Sequence, residues 1–167
     1  MKHLLAAWKT LNAERGSAQL ALVGRGPLED VIRKRRIPGV HVLGLMHERL
    51  LAEAYASADL FVFPSATETF GNSLLEAMGS GLPCLAANAA GVLEFARHGH
   101  NAWLVSPNST SALTQGLRRL MRDPSLRQRL AQGGLATAAE RGWNQIYEDL
   151  LEDYRAAIEN RGMIQAA

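Results

Sequence analysis

The sequence predicts an α/β fold, a parallel β-sheet with helices packed on both faces. Three observations carry that expectation. Short apolar runs recur at 19–23, 40–43, 60–63, 83–87 and 102–105. Between the first of them lie segments with apolar residues at helical spacing, such as Leu50, Leu51, Ala54 and Tyr55. The clearest runs are apolar throughout rather than alternating, the pattern of strands covered on both faces. Repeated strand–helix units of this kind close into a parallel sheet.

Each element has its own signal. Leu4, Leu5, Trp8 and Leu11 fall on one helical face, and Gly16 and Ser17 stop that helix. The run 19–23 is β-prone and ends at Gly24. Pro27 opens a helix, where its missing N–H costs nothing, and the helix runs into Arg33, Lys34, Arg35 and Arg36. Pro38 and Gly39 break it before a second strand that ends at Gly44. A helix carrying Leu50 and Tyr55 ends near Ala58, and the strand 60–63 is terminated by Pro64. After a loop, 71–79 reads as a helix with Leu74, Leu75 and Met78 turned inward. Beyond the strands at 83–87 and 102–105 the chain reads as three helices, 112–121, 125–132 and 143 to about 158. In the last, Ile146, Leu150, Tyr154 and Ile158 form a stripe expected to pack on the core.

The length of 167 residues suits one domain, large enough to bury about 70% of its unfolded surface without staples. Apolar residues make up 47% and charged residues 20%, which excludes a disordered chain. A formal charge of +2 gives no case for a nucleic-acid partner. The single cysteine, Cys84, excludes an internal disulfide framework and lies in an apolar run, where burial is expected. No apolar stretch approaches a membrane span, and residues 1–8 lack the apolar core of a secretory signal. The expected location is cytoplasmic.

Ligands of open parallel sheets bind outside the carboxyl ends of the strands, so function falls on the loops 24–27, 44–48 and 64–72. The turn Gly24-Arg25-Gly26-Pro27 is half of a dinucleotide fingerprint, but Glu29 stands where the third glycine belongs, so NAD is not expected. The loop at 64–72 is more informative. Glu68 precedes the helix and Glu76 lies within it. Gly71 allows close approach of backbone to a ligand, and the helix start offers unpaired N–H groups and a dipole suited to a diphosphate. Each carboxylate can accept hydrogen bonds from neighbouring hydroxyls. An anion site flanked by two hydroxyl acceptors is what a nucleotide sugar needs. Spacing alone equally allows Glu68 as a helix cap and Glu76 as a solvated surface residue.

The segment resembles the E-x7-E region of the retaining glycosyltransferases of family 4, whose fold is called GT-B. Pro64, Ser65, Glu68, Phe70, Gly71, Leu75, Glu76, Ala77, Met78, Gly81 and Pro83 match that pattern. Val23 to Pro27 resembles the family's glycine turn, and Ala58 to Pro64 the strand entering the motif. Gly91, Glu94, the run Gly99-His100-Asn101 and the run Leu104 to Pro107 follow in the family's order, and Trp143 to Tyr154 resembles its closing helix. The resemblance implies the C-terminal half of a GT-B fold, a Rossmann-like domain that binds a UDP-, GDP- or ADP-sugar. Glu68 would then be the catalytic residue, contacting donor-sugar hydroxyls near the anomeric centre. Glu76 would hold the ribose hydroxyls, with Leu75 beside them. Backbone at Phe70, Gly71 and Asn72 would line sugar and diphosphate, backbone from Gly44 to Met46 would meet the base, and the Gly24 and Gly26 turn would close the wall. No metal or other cofactor is expected.

The chain also departs from the family pattern. It has Ala90 before Gly91 where two glycines are usual, and Ala102 where a glycine is usual. The family's first strand and its diphosphate-gripping Arg/Lys loop have no counterpart, since the first element is already a helix and Lys2 sits one turn too close to Leu4. An acceptor-binding domain does not fit in 167 residues. The isolated chain is expected to transfer little or nothing. Loss of a central strand would make the strands ending at Val23 and Pro64 either pair directly or leave open edges that favour association.

Other constellations carry less. His98 and His100 lack a third metal ligand nearby, and Ser65 lacks the His–Asp arrangement of a nucleophile. The basic run Arg33 to Arg36 reads as a solvated helix end, with peripheral membrane contact of a full enzyme as the alternative. Two other functions fit the same residues, a stand-alone nucleotide or sugar-binding module and part of a GT-B nucleotide-sugar epimerase.

Overall fold

The computed structural model describes residues 1–14 and 18–165. Among the described residues, seven helices and five strands follow in the order α1 (Lys2–Glu14), β1 (Leu20–Val23), α2 (Glu29–Arg35), β2 (Val40–Gly44), α3 (Glu48–Ala56), β3 (Phe61–Phe63), α4 (Asn72–Gly79), β4 (Cys84–Ala87), β5 (Trp103–Val105), α5 (Thr110–Arg122), α6 (Pro124–Ala139) and α7 (Trp143–Gln165). The Gly16 and Ser17 stop lies outside the described residues. One element was not expected, a 3-10 turn at Ala90–Glu94 between β4 and β5.

The strands are parallel but form two sheets. β1 pairs with β2, while β3, β4 and β5 pair in that order. Among the described residues the strands ending at Val23 and Phe63, β1 and β3, do not pair directly and each lies at the edge of its own sheet. Lys2–Glu14 forms α1 rather than a strand. The two sheets nevertheless share one core. Leu4, Ala7 and Leu11 of α1 pack with Leu113, Leu117 and Leu120 of α5, and Leu20, Leu22, Val62 and Leu85 lie against them.

On β4 the side chains alternate between two cores. Leu85 faces α1 and α5, while Cys84 and Ala86 face Leu74, Ala77 and Met78 of α4. The β1–β2 sheet departs from the expected cover on both faces. Leu20, Leu22, Val40 and Val42 pack beneath α1 and α2, whereas Val23 and Leu43 on the other face are 42% and 45% exposed. Their alternating burial follows from a pair of strands with helices on one side only.

The C-terminal helix also differs from expectation. Ile146, Leu150, Tyr154 and Ile158 are all exposed, so their stripe is not core. Fourfold spacing defines an apolar stripe but not what it meets. The side chain of Trp143 lies outside the described residues. Cys84 is buried as expected, its thiol pushed up to about 12 by desolvation and aimed at the Leu82 carbonyl.

Candidate functional site

The loops after β1, β2 and β3 lie at the carboxyl ends of their strands, as the parallel order requires. The first two are tied together, because the Gly24 amide donates to the Gly44 carbonyl at 2.7 Å. Gly24 adopts φ +117° and Gly44 φ +76°, a region that disfavours any side chain. Gly44 is buried, Gly26 is exposed and Met46 is half-buried in the turn that leads into α3.

The third loop is anchored through its aromatic residue. Phe70 tilts against Phe95 with ring centroids 5.2 Å apart, which leaves its backbone to line any ligand. Gly71 follows with φ +105° and caps α4 without a side-chain hydrogen bond. Its carbonyl accepts from the amides of Leu74 and Leu75, while those of Asn72 and Ser73 have no partner among the described residues. The contrast with α5 and α6 is informative, since Ser109 and Asp123 satisfy the first-turn amides there. Helix α4 presents free donors and the positive end of its dipole at the ligand-binding end of the sheet.

Two carboxylates flank this helix start. Glu68 is half-exposed and makes no hydrogen bond among the described residues, so it is not a helix cap. Glu76 is exposed but not merely solvated: its Oε2 accepts from the Tyr55 hydroxyl at 3.1 Å. Leu75 is partly buried against the core that holds Phe61 and Phe63, and Asn72 is exposed. Helix α3 joins the two groups of loops, since it begins just after Met46 and ends about 13 Å further on, beside Glu76.

Two residues at the site were not read as such from sequence. In the sequence Tyr55 reads only as part of a helical stripe, although a phenol on an apolar face usually seeks a polar partner. Gly91 carries no signal in the sequence beyond its place in the family's order, yet it sets where the Glu68 loop lies, because the Ala90–Glu94 turn packs directly on that loop's backbone. The buried Asn101 supports the same region. Its amide donates to Phe95 and Thr137, and its carbonyl oxygen accepts from the Arg97 amide. His98 is occupied structurally, as its Nδ1 accepts from the Leu104 amide at 3.1 Å.

Away from these loops, hollows of about 390 Å³ and about 190 Å³ lie, respectively, beside Gln115, Arg119 and Arg122 and between α1 and α2. Among the described residues no helix is long and apolar enough to cross a membrane.

In a parallel α/β layer, the uncapped start of α4 offers free backbone donors beside the carboxylates of Glu68 and Glu76. Comparison with known proteins identifies the family. Residues 1–123 match the model of the family described as glycosyl transferases group 1, and the chain belongs to that family. A sulfoquinovosyl transferase of Arabidopsis thaliana is 33% identical over 147 residues, covering 84% of this chain and 29% of the relative. An uncharacterized glycosyltransferase of Methanocaldococcus jannaschii is 29% identical over 155 residues, covering 89% and 40%. The chain thus spans well under half the length of these curated relatives. Among solved structures, Anabaena HepE in complex with UDP and glucose superposes with a TM-score of 0.80 at 23% identity, over 93% of this chain and 44% of that one. Sucrose-phosphate synthase from Thermosynechococcus elongatus gives 0.80 at 25% identity, over 93% and 42%. The fold is that of part of a GT-B glycosyltransferase.

Proposed function

We propose that this chain is the donor-binding domain of a retaining glycosyltransferase that takes a nucleotide-diphospho-sugar. The observation that carries the reading is the uncapped start of α4 between Glu68 and Glu76. The free amides of Asn72 and Ser73 receive the diphosphate, whose charge the helix dipole complements. Glu76 accepts the two ribose hydroxyls and Glu68 those of the donor sugar near its anomeric carbon. Backbone from Gly44 to Met46 meets the base, and the Gly24–Gly26 turn walls the site.

In the transfer itself, the bond from the anomeric carbon to the diphosphate oxygen breaks. The acceptor oxygen bonds to the same face, and the departing diphosphate takes the acceptor proton. No protein base or metal is required in this scheme. The acceptor is presented by a second domain outside these residues, so the chain alone binds donor without transferring it. The reading is supported by family membership and by the UDP and glucose in complex with HepE.

Calorimetry with UDP, GDP and ADP and their sugars tests it. One nucleotide gives heat, and Glu76→Ala weakens that binding by about 1–3 kcal/mol as the hydrogen bonds to a charged acceptor are lost. Equal affinity of the wild type and Glu76→Ala overturns the ribose assignment.

A further inference from the structure

We propose that Tyr55 is a positioning residue for the donor, its hydroxyl holding the Glu76 carboxylate in the orientation that accepts both hydroxyls of the ribose. The proposal rests on the reading of Glu76 as the ribose acceptor. An exposed glutamate on a helix samples many rotamers, and ordering it costs free energy at the moment a ligand binds. Among the described residues the Tyr55 hydroxyl is the one side-chain partner of this carboxylate, at 3.1 Å from Oε2. The phenol is itself fixed. Its ring meets Phe61 edge to face with centroids 5.8 Å apart and packs on the core formed by Leu74, Ala77 and Met78.

The contact leaves the right number of acceptors. With Tyr55 on one lone pair of Oε2, the carboxylate retains Oε1 and a second lone pair of Oε2 for a cis-diol. The donor is permanent, because burial first and the Glu76 charge second hold the Tyr55 hydroxyl well above the ordinary phenol range. The same hydroxyl lies 3.4 Å from the Ser73 carbonyl oxygen, over the first turn of α4. Tyr55 therefore places Glu76 relative to the helix start where the diphosphate would sit. Since Tyr55 belongs to the helix that begins at the base-contacting loop, it also sets the distance between base and ribose subsites.

The test pairs variants with ligands. Whichever of UDP, GDP and ADP binds the full chain most tightly is titrated alongside its 2′,3′-dideoxy counterpart, into wild type, Tyr55→Phe, Glu76→Ala and the double variant. Tyr55→Phe should weaken binding of the ribose ligand about three- to tenfold and leave the dideoxy ligand unchanged. The double variant should bind no more weakly than Glu76→Ala, as expected when one residue acts through the other. Equal weakening of both ligands by Tyr55→Phe shows a general structural role and overturns the proposal. So does unchanged binding of the ribose ligand by Tyr55→Phe when Glu76→Ala weakens it. If Glu76→Ala is also without effect, or no nucleotide binds, the ribose reading itself fails and takes the proposal with it.

Discussion

Gly91 lies so close to Thr69 that a Cβ built on it would stand 2.3 Å from the Thr69 carbonyl carbon and oxygen. The Glu68 carbonyl oxygen would be only 2.6 Å away. Both neighbours are backbone, so no side-chain rotation relieves the clash. The turn at Ala90–Glu94 thereby acts as the support on which the Glu68 loop rests.

Gly91→Ala should therefore move the loop that carries Glu68. Overpacking of this kind costs about 1–3 kcal/mol, read as a lower denaturation midpoint. The variant should also lose part of the extra affinity for nucleotide sugar over nucleotide, because Glu68 is the carboxylate assigned to the sugar. Calorimetry with both ligands measures the difference. An unchanged midpoint would mean that the loop is not held by this contact.

The buried Cys84 predicts a pH dependence of stability. Its thiol is raised to about 12 in the folded chain, against about 8.5 when unfolded. Between those values the unfolded chain binds fewer protons than the folded one, so stability falls as pH rises. Below the ordinary thiol value this contribution is fully present. Urea midpoints compared between wild type and Cys84→Ala should diverge in slope on the alkaline side only. A thiol reagent at neutral pH should label Cys84 only when the chain unfolds.

The unpaired edges of β1 and β3 predict self-association, since open strand edges are templates for pairing. Sedimentation velocity should show larger species as protein concentration increases. Val23→Lys places a charge on the exposed face at the end of β1 and should shift the distribution toward monomer. A wild type that stays monomeric at high concentration would show that these edges are shielded.

Helix α5 should be far more sensitive than helix α7 to loss of apolar side chains. Leu120 on α5 is fully buried, so Leu120→Ala should cost about 2–5 kcal/mol. Ile158 on α7 is 72% exposed, and Ile158→Ser should change stability by less than about 0.5 kcal/mol. Denaturant titration of the two variants side by side checks both.

Much of the fold was legible because its signals are local. The runs at 60–63 and 83–87 need only their own apolar residues to read as strands, while Pro64 marks the end of the first and Gly44 that of the strand at 40–43. The family motif was likewise legible, since Glu68, Gly71 and Glu76 sit in one short segment. The stripe from Ile146 to Ile158 was misread for the complementary reason, that periodicity reports a face and not its neighbour.

By itself, then, the sequence determined the order of elements, the three loops at the carboxyl ends of the strands and the two carboxylates beside α4. Only the tertiary structure decided that the strands split into two sheets, that Tyr55 meets Glu76 and that Gly91 supports Thr69. The physical reason is range. Helical and strand tendencies act over a few residues, while Tyr55 and Glu76 stand 21 positions apart and touch only after α3, β3 and α4 have packed. Strand pairing is equally non-local, because an apolar run accepts many neighbours and only the assembled core selects among them.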